Sequence, residues 1–406
     1  MKFADISYTR ADFDAAARFY ASAAERLSAA GSFEEAEAVF LEVEDFSAKF
    51  DTALTVANIR HDIDTRDEFY DAEVAYIDEH APELEEYVQR WQDALLRTPY
   101  RAAFEEKYNR VMFLNAEIDA RTFSPEIVPE LQRENALTTE YSKLLAGAQI
   151  PFEGGVYTLS QLTPIKQDAD ASRRAAAWAA EDAWYAGHAE SLDAIYAELT
   201  ALRDKMGRKL GHDGYIPLGY DRMQRNCYDK ADVERFRAAV VDYIVPIAYS
   251  VYATVAKRLG KSLPMGYADC AMWFTDGNAR PVGTPEDILE AGRSFYHELS
   301  GETAEFIDHM LENGMMDVLS RPGKAGGGYC TTLTAYKTPY IFANFNGTSG
   351  DVEVITHEAG HAFASWTSRG IVPAESSSPS LEGCEVHSMS MEFFAEPWAE
   401  RFFGAD

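Results

Sequence analysis

Apolar residues in the first part of the chain recur every three or four positions. Phe13, Ala16, Tyr20, Ala24 and Leu27 form one series; Val39, Val43, Phe46 and Phe50 form a second; Leu84, Val88, Trp91 and Leu95 form a third. Such spacing lines one face of a helix, and the positions between are largely Asp, Glu, Arg and Gln, so each stripe predicts a helix packed by one side. The period breaks near residue 150. There Ile150-Pro151-Phe152, Glu153-Gly154-Gly155 and Val156-Tyr157-Thr158-Leu159 predict a short hairpin with glycines at its turn. Helical patterning resumes at about Asp168 and continues, with breaks, to about residue 317, while the Gly-, Tyr- and Asp-rich stretch from Gly211 to Arg225 reads as loop. The run from Ala238 to Ala256 is apolar but contains Asp242 and Pro246 and is borderline in length for a membrane span. It predicts a buried core helix.

From Arg321 the character changes. Arg321 to Gly328 (RPGKAGGG) predicts a flexible loop, followed by candidate strands Tyr329 to Leu333 and Pro339 to Phe345. Asn346-Gly347-Thr348-Ser349 then turns the chain into a helix that starts near Asp351, whose acid suits a helix N-terminus, and stops at Gly370. Lys324 in a glycine-rich loop invites a phosphate-binding reading. However, no Ser or Thr follows it and the loop leads into a strand, so that reading lacks both a Mg²⁺ ligand and a helix N-terminus. The elements predict a mainly α fold with a small sheet beside the final helices. At 406 residues the chain is too long for one ordinary core. We expect a helical N-terminal lobe over 1–195 and a second lobe over 196–406.

Charge narrows the partners. Asp and Glu number 67 against 37 Lys and Arg, a net charge of −30, which disfavours nucleic acid and anionic membrane surfaces. The four cysteines, Cys227, Cys270, Cys330 and Cys384, lie far apart and form no Cys-x-x-Cys pair, which argues against a disulfide framework and a zinc ribbon and suits reduced thiols in a cytoplasm. The N-terminal residues MKFADISYTRADFD carry acids where an export signal needs an apolar stretch.

The candidate chemistry lies in His357-Glu358-Ala359-Gly360-His361. Residues four apart share a helix face, so His357 and His361 can aim both imidazoles at one Zn²⁺, and Glu358 can act as general base without being a ligand. A third protein ligand is needed. A second helix starting near Ser380 carries Glu382, Glu385, His387, Glu392 and Glu396. Glu385 is favoured as the ligand, with Glu392, two turns on, as a supporting or packing residue behind it; Glu382 shares that face and stays an alternative. His387 is expected to point elsewhere in a structural role.

The stretch NFNGTSGDVEVITHEAGHAFASW followed by GCEVHSMSMEFF resembles the thimet-type zinc metallopeptidases, in their oligoendopeptidase F branch. The resemblance implies His357, His361 and Glu385 as zinc ligands and Glu358 as base. It further implies a two-lobed, zincin-like helical body around a channel, and short unstructured oligopeptides as substrates. In that arrangement the PYIFANF strand would be a sheet edge, with Ala343 and Asn344 meeting substrate backbone. Members of that family continue well beyond the point where this sequence stops at Asp406. Their later tyrosine and histidine side chains steady the oxyanion, so the chain alone is expected to bind zinc and to cleave peptides feebly or not at all. Two other classes remain: a non-catalytic zinc-binding scaffold, and a zinc aminopeptidase, which also uses HExxH with a later Glu.

Overall fold

The computed structural model describes residues 1–405. Helices α1 (Phe13–Ala29), α2 (Phe33–Ile63) and α3 (Glu68–Arg97) build an N-terminal bundle. Each starts on a side chain that accepts a free backbone N–H: Asp12 from Ala15, Ser32 from Glu35, and Asp67 from Phe69 and Tyr70. The predicted stripes meet in one core holding Phe13, Tyr20, Leu27, Phe40, Val43, Leu84, Trp91 and Leu95. The C-terminal half of α2 enters a second core, where Val56 and Ile59 pack with Phe295, Phe306, Phe342 and Ala359. A single helix thus ties the bundle to the later part of the chain. Residue 195, the expected lobe boundary, falls inside one continuous helix, Ala171–Lys209.

Strands β1 (Ile150–Phe152) and β2 (Gly155–Tyr157) form the expected hairpin. Its two turn residues, Glu153 and Gly154, have φ of 48° and 80°, the left-handed pair that a two-residue turn with native strand twist requires. The second sheet has three strands: β3 (Met316–Leu319), β4 (Tyr329–Leu333) and β5 (Thr338–Phe345), in the order β3-β5-β4. Strand β3 runs parallel to β5 and β4 antiparallel to it. Only β3 escaped the hydrophobic pattern, being four residues long and following a helix directly. The stretch read as loop between Gly211 and Arg225 holds a short helix, Tyr215–Arg222, that packs Leu218 against Phe123, Ile127 and Met206.

Two further expectations are overturned. The apolar helix Lys230–Arg258 is not a core helix: 6% of its most apolar stretch is buried, and Phe236, Tyr243, Ile247 and Tyr249 are all exposed. It is long and apolar enough by length and composition to cross a membrane. Apolar side chains at 240, 241, 243, 244, 245 and 247 surround the helix, so the pattern demands a cover without saying whether this stretch of chain supplies it. A π turn, Val240–Ile244, precedes Pro246, which cannot donate to the helical ladder. The loop 321–328 is also not free. Thr65 donates through N and Oγ1 to the Gly323 carbonyl at 2.8 and 2.8 Å, and Ala325 N donates to Asp62 O at 2.8 Å. Lys324 is buried, donating to the Asp317 carboxylate at 2.6 Å, to Leu319 O and to Ala343 O. Burial pulls its pKa down to about 8, against the raising effect of Asp317.

Candidate metal centre

The HExxH helix, Gly350–Ser368, leaves β5 through a turn locked by Asp351, whose carboxylate accepts from Asn346 N at 2.9 Å and Gly347 N at 2.7 Å. Ile355, Ala359 and Ala362 bury one side of this helix, which leaves His357, Glu358 and His361 facing a cavity of about 430 Å³. The opposite wall is a helix over Leu381–Ala395, capped by Ser380. Gly360 sets how close the two helices come. A Cβ there would lie 2.6 Å from Ser388 Cα and 3.0 Å from His387 O, so only glycine permits this approach.

The approach brings Glu385 Oε2 to 3.2 Å from His357 Nε2 and 3.7 Å from His361 Nε2. All three donor atoms lie within 4.8 Å of one another. Tetrahedral zinc with bonds of roughly 2.0–2.2 Å separates its ligand atoms by about 3.4 Å, so two imidazoles and one carboxylate at these spacings fit that ion. Glu382, the alternative ligand, is turned outward and accepts from Arg225 Nε at 3.0 Å. Glu392 Oε1 lies 2.6 Å from His357 Nδ1, which leaves Nε2 of that ring to face the cluster.

Two supporting contacts were not read from the sequence. Ser388, fully buried, donates from Oγ to Glu385 Oε2 at 2.8 Å. His387 does not point away as expected: its Nε2 is 3.4 Å from His361 Nδ1, and it lines the same cavity. The seam between the helices is centred on buried Ser388, Met391 and Ala395, with Glu385 and His387 on its opposite flanks. Judging faces from Glu385 alone hid this, and glycine within HEAGH was the available signal of close approach.

The two carboxylates in the cavity differ in environment. Burial raises the pKa of Glu358, with the nearby Glu385 charge adding to the rise. The Ser388 hydrogen bond chiefly lowers that of Glu385, helped by the charges of His361 and His357. Such a split suits a proton acceptor beside a carboxylate that ionises more readily. Burial lowers the pKa of His361, favouring the neutral ring that a metal needs.

The expected role of Ala343 and Asn344 on a sheet edge is corrected. Strand β5 is central, paired on both sides, and Ala343 is wholly buried. Asn344 Nδ2 donates to Ala325 O at 2.8 Å and Gly327 O at 2.9 Å, holding the glycine-rich loop. The β-branched and aromatic richness of PYIFANF reflects burial on both faces. The edge that borders the cavity is β4, through Tyr329, Cys330 and Thr332, with Gly328 just before it.

Fold and cavity together define a mostly helical metallopeptidase, with an HExxH helix, a glutamate helix crossing it and a small sheet alongside. Residues 3–123 match the Peptidase M3 N-terminal domain, and residues 294–404 match Peptidase family M3. Among solved structures, one described as an oligoendopeptidase F from Bacillus anthracis str. Ames shares 41% identity and a TM-score of 0.97, covering 99% of this chain and 74% of its own. A structure of PZ peptidase A with an inhibitor also shares 41% identity at a TM-score of 0.97, covering 99% and 71%. A peptidase structure from Chlamydophila abortus, 14% identical with a TM-score of 0.57, covers 100% and 72% and shares the fold alone. No curated protein matches. The chain belongs to peptidase family M3, in its oligoendopeptidase F branch.

Proposed function

We propose that this chain is a zinc-dependent endopeptidase for short, unstructured oligopeptides, holding one Zn²⁺ with His357, His361 and Glu385. The observation that carries the reading is the convergence of two imidazole Nε2 atoms and Glu385 Oε2, with Glu358 facing the same cavity. Zinc, when bound, supplies a Lewis acid that acidifies water and polarises the scissile carbonyl. Glu358 takes the proton of the attacking water and passes it to the departing amine nitrogen, a role its raised pKa favours. The outer edge of β4 bears no strand among the described residues, so an extended peptide can pair with it beside Glu358. Four free cysteines support a reducing, cytoplasmic setting.

Glu358→Gln tests the mechanism. It should keep about one zinc per chain by elemental analysis and lower cleavage of a quenched-fluorophore peptide by about 10²–10⁴-fold. An unchanged rate rejects the base. Cleavage of peptides blocked at both ends excludes an aminopeptidase.

A further inference from the structure

We propose that His387 is a positioning residue for the metal: its Nε2 accepts the Nδ1–H of His361 and thereby fixes which nitrogen of His361 faces the cation. This rests on the zinc reading above. For His361 to offer Nε2 as a lone pair, its proton must sit on Nδ1, and a proton there needs an acceptor. Among the described residues the His361 ring has one hydrogen-bonding contact, His387 Nε2 at 3.4 Å, with the two rings 5.4 Å apart and at 89°. His387 is then the tautomer with its own proton on Nδ1.

The arrangement repeats, with a different acceptor, what Glu392 does for His357 at 2.6 Å. One helix, Leu381–Ala395, supplies Glu385 and the partners of both imidazoles. The carboxylate makes a charged, short contact and the imidazole a neutral, longer one, so the two histidines are held unequally. The close approach at Gly360 is what carries His387 to His361, since the His387 carbonyl is among the atoms nearest that glycine.

Zinc affinity of the full chain, measured by competition with a chromophoric chelator, tests this. His387→Leu removes the acceptor, whereas His387→Gln places Oε1 where Nε2 was. Leucine should weaken zinc binding about 10–100-fold, and glutamine should restore it to within about threefold of the parent. Metal-free melting temperatures should stay alike; if leucine lowers that value, His387→Ala replaces it in the same comparison. Unweakened binding in the variant without an acceptor overturns the proposal, and so does equal weakening by glutamine. Glu385→Ala separates the two levels. If it leaves zinc affinity untouched, the ligand assignment itself fails and the role of His387 with it; if it abolishes binding, a null result at His387 counts against His387 alone.

Discussion

Adding one methyl group at Gly360 should damage the metal centre more than the fold. In Gly360→Ala the new Cβ meets Ser388 Cα at 2.6 Å, His387 O at 3.0 Å and Met391 Cβ at 3.1 Å, where ordinary contact is 3.4–4 Å. Two of these are backbone atoms, so no side chain can swing aside, and the Glu385 helix must retreat by about 1 Å. Overpacking of this kind costs about 1–3 kcal/mol. Alanine recovers about 1 kcal/mol over glycine inside a helix, leaving a net loss of about 0–2 kcal/mol. The metal tolerates less. Metal–ligand distances are held to about 0.2 Å, so a retreat of about 1 Å carries Glu385 Oε2 out of range of the two imidazoles. Zinc affinity should fall by at least about 10–100-fold, measured by chelator competition, with a metal-free melting temperature only a few degrees lower. Parent-like zinc affinity in Gly360→Ala would refute the claim that close helix approach builds the site.

Three further outcomes follow from other contacts. Glu392→Ala frees His357 Nδ1 from its partner at 2.6 Å and should weaken zinc about 10–100-fold, checked by the same competition. Asn344→Ala removes two hydrogen bonds to the loop at Ala325 and Gly327, so trypsin should cut after Lys324 several times faster; an unchanged rate means other contacts suffice. Glu44, Asp51, Glu85 and Glu375 line one cleft with no basic side chain among its lining residues, and burial, then the Glu44 charge, pushes Asp51 up to about 6. A raised carboxyl holds its proton more tightly when folded, so its stabilising contribution is present below the unfolded pKa and is lost as pH rises through about 6. Asp51→Asn should therefore raise the melting temperature at about pH 7.5 and change little at about pH 4; a gain confined to low pH would reverse the argument.

Local chemistry was legible in the sequence. A period of three to four residues named the helices of the bundle, Glu153-Gly154-Gly155 marked the hairpin turn, and the spacing within His357-Glu358-Ala359-Gly360-His361 put two imidazoles on one face, because local backbone geometry alone sets those relations. What lay beyond reach depended on partners distant along the chain. The sequence could show that PYIFANF suits a sheet, but only the pairing with β3 and β4 placed it at the centre and gave the cavity edge to β4. It could show that Lys230–Arg258 is apolar, but burial is a property of neighbours, and only the end of this helix, at Val255 and Ala256, finds them among the described residues. Likewise the sequence favours Glu385 as ligand while Glu382, three positions away on the same face, stays an alternative, until Gly360 sets the crossing of two helices and turns Glu385 toward the imidazoles and Glu382 toward Arg225. Periodicity follows from bonds within a helix, whereas a ligand set follows from the distance between helices, which is decided by packing.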